Sequence, residues 1–140
     1  MNWILLTIFL CICAFMDFKY KVVSVNLCII NIIVSVLLNI ILKINSLISL
    51  SIGISVVIIL FIISKLSREK LGMGDVYVLL VSALYVGLNV IDILIIALFI
   101  SLIFSIGLLV KKKNIKVEFP FVPFILGGEI GVWIMKMLGA

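Results

Sequence analysis

The chain has 140 residues, 66% of them hydrophobic and 12% charged, where an ordinary soluble domain carries roughly 25% charged residues. That composition excludes a soluble globular fold, a disordered chain and a disulfide scaffold. The net charge of +5 comes in short basic clusters between apolar runs, a membrane-topology pattern and not a nucleic-acid-binding one.

Six apolar runs follow in chain order, bounded by the charges: Trp3 to Met16, Val22 to Leu42, Ser46 to Ser64, Val76 to Ile91, Ile93 to Val110 and Phe124 to Leu138. A spanning helix needs about 20 residues. The second, third and fifth runs are near that length, while the first and fourth are short. The expectation is an all-α, polytopic bundle of about six transmembrane helices in one domain over residues 1–140. The amino terminus has no basic region ahead of its apolar run and no small-residue cleavage site after it, so the first segment is expected to stay as an anchor.

Lys19 and Lys21 follow the first run, Lys65, Arg68 and Lys70 the third, and Lys111, Lys112, Lys113 and Lys116 the fifth. Because basic residues are retained on the cytoplasmic side, these loops are expected to be cytoplasmic and both termini to face outward. Lys43 stands in an alternate loop and Lys136 near the carboxyl end. The lysines from 111 to 116 also suit contact with anionic lipid. Asp17 and Asp75 then emerge on one side and Asp92, read as a helix boundary, on the other.

Within the runs, Asn26, Asn31, Asn39 and the serines at 46, 49, 51 and 55 are expected to make interhelical hydrogen bonds. Gly53 and Gly107 are expected at close-packing positions. Cys11, Cys13 and Cys28 have neither redox nor zinc spacing and read as small buried hydrophobes.

Six acidic residues occur in the chain, and three need individual explanations. Asp17, in Met16-Asp17-Phe18-Lys19-Tyr20-Lys21, could be a helix-end carboxylate paired with Lys19 or Lys21. Asp75, in Leu71-Gly72-Met73-Gly74-Asp75-Val76, could be a helix N-cap. Against these readings, Gly72 and Gly74 remove side chains around Met73 and let another chain approach. Topology also sets both carboxyls at one level. Two close carboxyls cannot both ionise cheaply, so such a pair shares a proton, as in an aspartyl protease. Glu129, inside the sixth run, is a functional candidate because ionisable groups there are costly; helix packing, proton sharing and pairing with a lysine or a backbone group are all open to it.

The chain resembles the type IV prepilin peptidases, a GxGD class of membrane aspartyl proteases. The resemblance rests on Gly72-Met73-Gly74-Asp75, on Asp17 with the basic residues Lys19 and Lys21 after it, and on Phe119-Pro120-Phe121-Val122-Pro123-Phe124-Ile125-Leu126-Gly127-Gly128. It implies removal of the basic leader of prepilin-like precursors at the cytoplasmic face of the cell membrane, with Asp17 and Asp75 catalytic, Gly72 and Gly74 supporting the motif, and no metal or cofactor. Lys19, Lys21, Pro120 and Pro123 are candidate substrate or lipid contacts; the prolines also suit the first turn of a helix. Larger relatives add a region with paired C-x-x-C motifs associated with methylation. Nothing here matches it, so peptidase activity without methyl transfer is expected. Two departures stand out: Val23-Ser24-Val25 replaces an Ile-Pro-Asn-like stretch, and Tyr77 stands where a lysine is common. A different class, a small proton- or cation-coupled transporter or channel subunit using Asp17, Asp75 and Glu129, is the alternative, and a noncatalytic partner of peptidase-like fold is a third.

Overall fold

Apolar runs of Ile, Leu and Val fold as helices in a membrane because hydrocarbon offers the backbone no hydrogen-bond partner, and a helix satisfies its own groups. The structure is a computed structural model that describes residues 2–66, 72–110 and 120–139. It is an all-α membrane protein, and no strand occurs among the described residues. The helices are α1 (Asn2–Tyr20), α2 (Val25–Leu42), α3 (Leu47–Leu66), α4 (Met73–Val86), α5 (Val90–Val110) and α6 (Val122–Met137), with one 3₁₀ turn at Gly87–Asn89 between α4 and α5. α1, α2, α3 and the continuous stretch Met73–Val110 are apolar and long enough to cross a bilayer.

Most boundaries shift by a few residues from the apolar runs: α4 ends at Val86 and not at Ile91, where Gly87 takes a φ of 58°, and α5 begins at Val90, ahead of Asp92. Two of the shifts bear on the carboxylates. α1 continues past Met16 to Tyr20, which puts Asp17 inside its last turns. It stops there because Lys21 turns into the left-handed region (φ 52°) and donates its N–H to the Asp17 carbonyl at 2.9 Å, a common helix ending. α4 begins at Met73, ahead of the apolar run, so Gly74 and Asp75 lie in its first turn. Charge counting placed both boundaries at the edge of the apolar residues, but backbone hydrogen bonding carries each helix further.

α4 is the central element. Val76, Val78, Leu79 and every residue from Val81 to Val86 are buried, because α2 and α3 pack along it, α1 packs on another side, and α5 folds back from its end. α6 in turn lies against α1 and α5. With 14 residues, α4 is about 21 Å long, shorter than the hydrocarbon is thick. Its last carbonyls therefore need partners inside the protein. Asn39 donates to Leu84 O at 2.7 Å, Asn45 to Tyr85 O at 3.1 Å and Asn89 to Val86 O at 2.9 Å.

The expected interhelical polar contacts divide. Asn39 makes one, Asn31 accepts from Tyr85 Oη at 3.4 Å, and Ser49 Oγ accepts from the Leu88 N–H at 2.9 Å. Ser51 and Ser55 instead donate to carbonyls of their own helix, and Ser46 accepts from the Ser49 N–H at the start of α3. A short hydroxyl in an apolar medium reaches a carbonyl one turn back more easily than another helix. Asn26 is exposed.

Gly53 is a close-packing position, since a Cβ there would lie 2.9 Å from Gly87 O, whereas Gly107 faces open space. Cys13 and Cys28 are buried together, but Cys11 is exposed on the outer side of α1. Asp92 stands exposed in the first turn of α5, where a carboxylate suits the helix dipole. The basic residues Arg68, Lys70, Lys111, Lys112, Lys113 and Lys116 lie outside the described residues, as do Leu71 and Phe119.

Candidate active site

The buried residues of α1 are Leu6, Phe9, Leu10, Cys13, Ala14 and Asp17. Their spacing of three and four makes one stripe along a helix, and Asp17 ends that stripe. Its carboxyl is therefore turned into the bundle, and the residue is only 8% exposed. Its Oδ2 accepts a hydrogen bond from the Val122 N–H at 3.1 Å. Val122 opens α6, and the first N–H groups of a helix have no partner within it. Asp17 supplies that partner from another helix, and the positive end of α6 faces its charge.

Asp75 is half-buried in the first turn of α4. Gly72, not Asp75, is the N-cap of α4; Asp75 donates its N–H to the Gly72 carbonyl at 3.1 Å, and its carboxyl has no hydrogen bond among the described residues. The N-cap reading is thus replaced by a first-turn carboxylate free of backbone donors. α1 and α4 pack together, and Gly74, the residue before Asp75, lies against Val23, just past the end of α1 that carries Asp17, so the two carboxyls stand at the same end of the bundle. Neither aspartate forms an ion pair with Lys19 or Lys21. Lys19 lies over the rings of Phe15 and Tyr20, at 5.8 and 5.1 Å, on the exposed side of α1, and Lys21 is exposed as well.

The Gly-x-Gly pattern has two local causes. A Cβ on Gly74 would stand 3.1 Å from Val23 Cβ, so the bare backbone lets the segment after α1 cross the start of α4. A Cβ on Gly72 would stand 3.0 Å from Asp75 Oδ2, in the space the carboxyl uses. Met73 between them is held by Ser64 at the end of α3, with Oγ 3.6 Å from Sδ. Tyr77 is partly buried against the core.

Pro123 follows Val122 inside the first turn of α6, where its missing N–H costs nothing. Pro120 is partly buried just ahead of it. Phe121 and Phe124 flank Val122, with ring centroids 6.4 Å apart. The Pro-Phe-Val-Pro-Phe segment thus meets Asp17 through a backbone N–H, which no side-chain pattern announces. A helix start rich in proline beside a lone buried carboxylate was the available signal. No cluster of His, Cys, Asp and Glu able to hold a metal occurs among the described residues.

Comparison with known protein families gives a match to the model of the type IV leader peptidase family over residues 4–110. The chain belongs to the type IV leader peptidase family. This family match takes in Asp17, Gly72, Gly74 and Asp75, and stops before α6. α6 therefore joins the leader peptidase region through contacts with α1 and α5, among them the bond from Val122 to Asp17. No curated protein and no solved structure matches the chain.

Proposed function

We propose that this leader peptidase is an aspartic-type endopeptidase that removes the basic leader of prepilin-like precursors at the cytoplasmic boundary of the cell membrane, with Asp17 and Asp75 as its catalytic pair. The observation that carries the reading is that two carboxyls distant in sequence lie at one end of the bundle, Asp17 on the first N–H of α6 and Asp75 in the first turn of α4, whose Gly74 meets the segment after α1. Two helix N-termini there favour one net negative charge. In the proposed reaction the pair shares one proton. The ionised carboxylate takes a proton from water, which attacks the scissile carbonyl, while the protonated partner polarises that carbonyl oxygen. The proton held by the base then passes to the departing amine.

The precursor's basic leader would lie on the cytoplasmic side and its hydrophobic segment in the bilayer. Lys19, resting on Phe15 and Tyr20, suits lipid headgroups better than a basic leader, which it would repel. The gathering of Asp17 and Asp75 at one end also supports a peptidase over a translocation path, which needs groups spread through the bilayer. The test is cleavage of a prepilin-like precursor by the purified protein in lipid, with and without a metal chelator. Asp17→Asn and Asp75→Asn are each expected to abolish cleavage while remaining inserted, and the chelator to leave the wild-type rate unchanged. Cleavage by either variant would refute the pair, and loss in chelator would refute the aspartic chemistry.

A further inference from the structure

Glu129 takes no part in the proposed chemistry, yet it is 0% exposed in the middle of α6. Its Oε1 lies 2.8 Å from Thr7 Oγ1 on α1, and that hydroxyl lies 2.7 Å from the Trp3 carbonyl. Oε2 is buried with no hydrogen-bond partner among the described residues.

Proton bookkeeping decides what this arrangement is. A hydroxyl has one proton, and a backbone carbonyl can only accept. If Glu129 were a carboxylate, Thr7 could serve either Glu129 or Trp3, leaving two oxygens face to face without a hydrogen. If Glu129 carries a proton, it donates to Thr7 and Thr7 donates to Trp3, and both short contacts are hydrogen bonds. An unpartnered Oε2 in an apolar interior is also far cheaper on a neutral acid than on an anion.

The bond matters because of where it sits. α1 and α6 run antiparallel and meet at three levels. Lys136 Nζ stands 5.2 Å over the Trp3 ring at one end, Thr7 meets Glu129 between, and Asp17 accepts the Val122 N–H at the other end. Apart from Asp17 and Glu129, the buried residues of the two helices are apolar, small or a thiol, so no other buried side chain on them offers a hydrogen bond that fixes the register of α1 on α6. A ring face tolerates sliding, whereas a hydrogen bond between the helices does not.

We propose that Glu129 is a positioning residue: a neutral acid that latches α6 to α1 through Thr7 and so holds Asp17 against the Val122 N–H. This rests on the reading of Asp17 as catalytic, but one readout is independent of it. The Val122 amide has no intrahelical acceptor, so its protection from hydrogen exchange reports directly whether Asp17 is in place.

The experiment compares wild type, Glu129→Gln, Glu129→Leu and Thr7→Val in lipid nanodiscs, following Val122 amide exchange by NMR and the kinetics of cleavage of a prepilin-like precursor. Gln can donate to Thr7 as the neutral acid does and is expected to stay within about threefold of wild type in both readouts. Glu129→Leu and Thr7→Val are expected to speed Val122 exchange at least about tenfold and to lower kcat on the order of 10- to 100-fold with little change in KM, since misplacement of a catalytic group by about 1 Å costs that much. Thr7→Val keeps the side chain's shape and decides the matter should Glu129→Leu fail to insert. Unchanged Val122 protection in Thr7→Val, or Glu129→Gln as impaired as Glu129→Leu, would overturn the latch. If wild type cleaves no precursor, the peptidase reading falls and the exchange pattern alone upholds or overturns the latch.

Discussion

At the scale of single residues, the site depends on what is missing from α4 as much as on what is present. Gly74 exists so that Val23 can cross it, with only 3.1 Å between a hypothetical Cβ and Val23 Cβ. Gly74→Ala is expected to destabilise the protein by about 1–2 kcal/mol, the usual range for overpacking. In a Val23→Ala background the same change should cost less, because the neighbour has been trimmed. Unfolding of the four proteins of this cycle checks the coupling; equal costs in both backgrounds would deny the contact. Gly72 and Gly74 could be singled out in the sequence as places of close approach. Val23 as the residue that approaches could not, since nothing in an apolar Val-Val pair marks one as buried and the other as exposed. Asp17 was legible for a different reason: a carboxylate beside an apolar run must be explained, whichever helix it faces.

At the scale of helices, each apolar run contains most of one helix, but the break between α4 and α5 falls at Gly87–Asn89 and not at Asp92, the charge that bounds the fourth run. The apolar pattern could not say which face of each helix is buried. In lipid both faces of a helix are apolar, so the usual alternation that orients a soluble helix is absent. The adjacency of α1 and α4, and the central place of α4, came only with the structure. Where helices approach most closely, glycine is the sign. A Cβ on Gly128 would press on the Ile93 carbonyl and stand 3.1 Å from Ala97 N, and backbone of α5 cannot step aside. Gly128→Val is therefore expected to part α5 from α6, at about 2–3 kcal/mol, and to lower cleavage with it by displacing Val122 from Asp17. Thermal unfolding in detergent and precursor cleavage measure the two effects; a variant as stable and active as wild type would contradict the packing. Gly107, equally apolar in its surroundings, has no such neighbour, and a substitution there should be silent in both assays.

At the scale of the whole molecule, the bundle has two unlike ends. One carries Asp17, Asp75 and the starts of α4 and α6; the other carries Asn39, Asn45 and Asn89, which close the end of α4. On the proposed topology, the positive-inside rule puts the first end at the cytoplasm. Cysteine at Lys21 should then react with a membrane-impermeant maleimide only when the cytoplasmic face is open, and cysteine at Lys43 only from outside, in a background with the three native cysteines replaced. Reversed labelling would put the carboxyls on the wrong side for a basic leader. Family membership and fold class were both readable from the sequence, since motifs and hydropathy survive without knowledge of packing. The hydrogen bonds from Val122 to Asp17 and between Thr7 and Glu129 were not, because each joins residues whose partners lie at the far end of the chain.

The proposed chemistry requires two carboxyls from different helices to act as one catalytic group on a prepilin-like leader. The deciding measurement is the intact mass of a prepilin-like precursor coexpressed with this protein, with Asp17→Asn and with Asp75→Asn. A product shortened by the basic leader is expected in the presence of wild type alone. A shortened product with either variant, in membranes where that variant is the only peptidase of its kind, would contradict that chemistry.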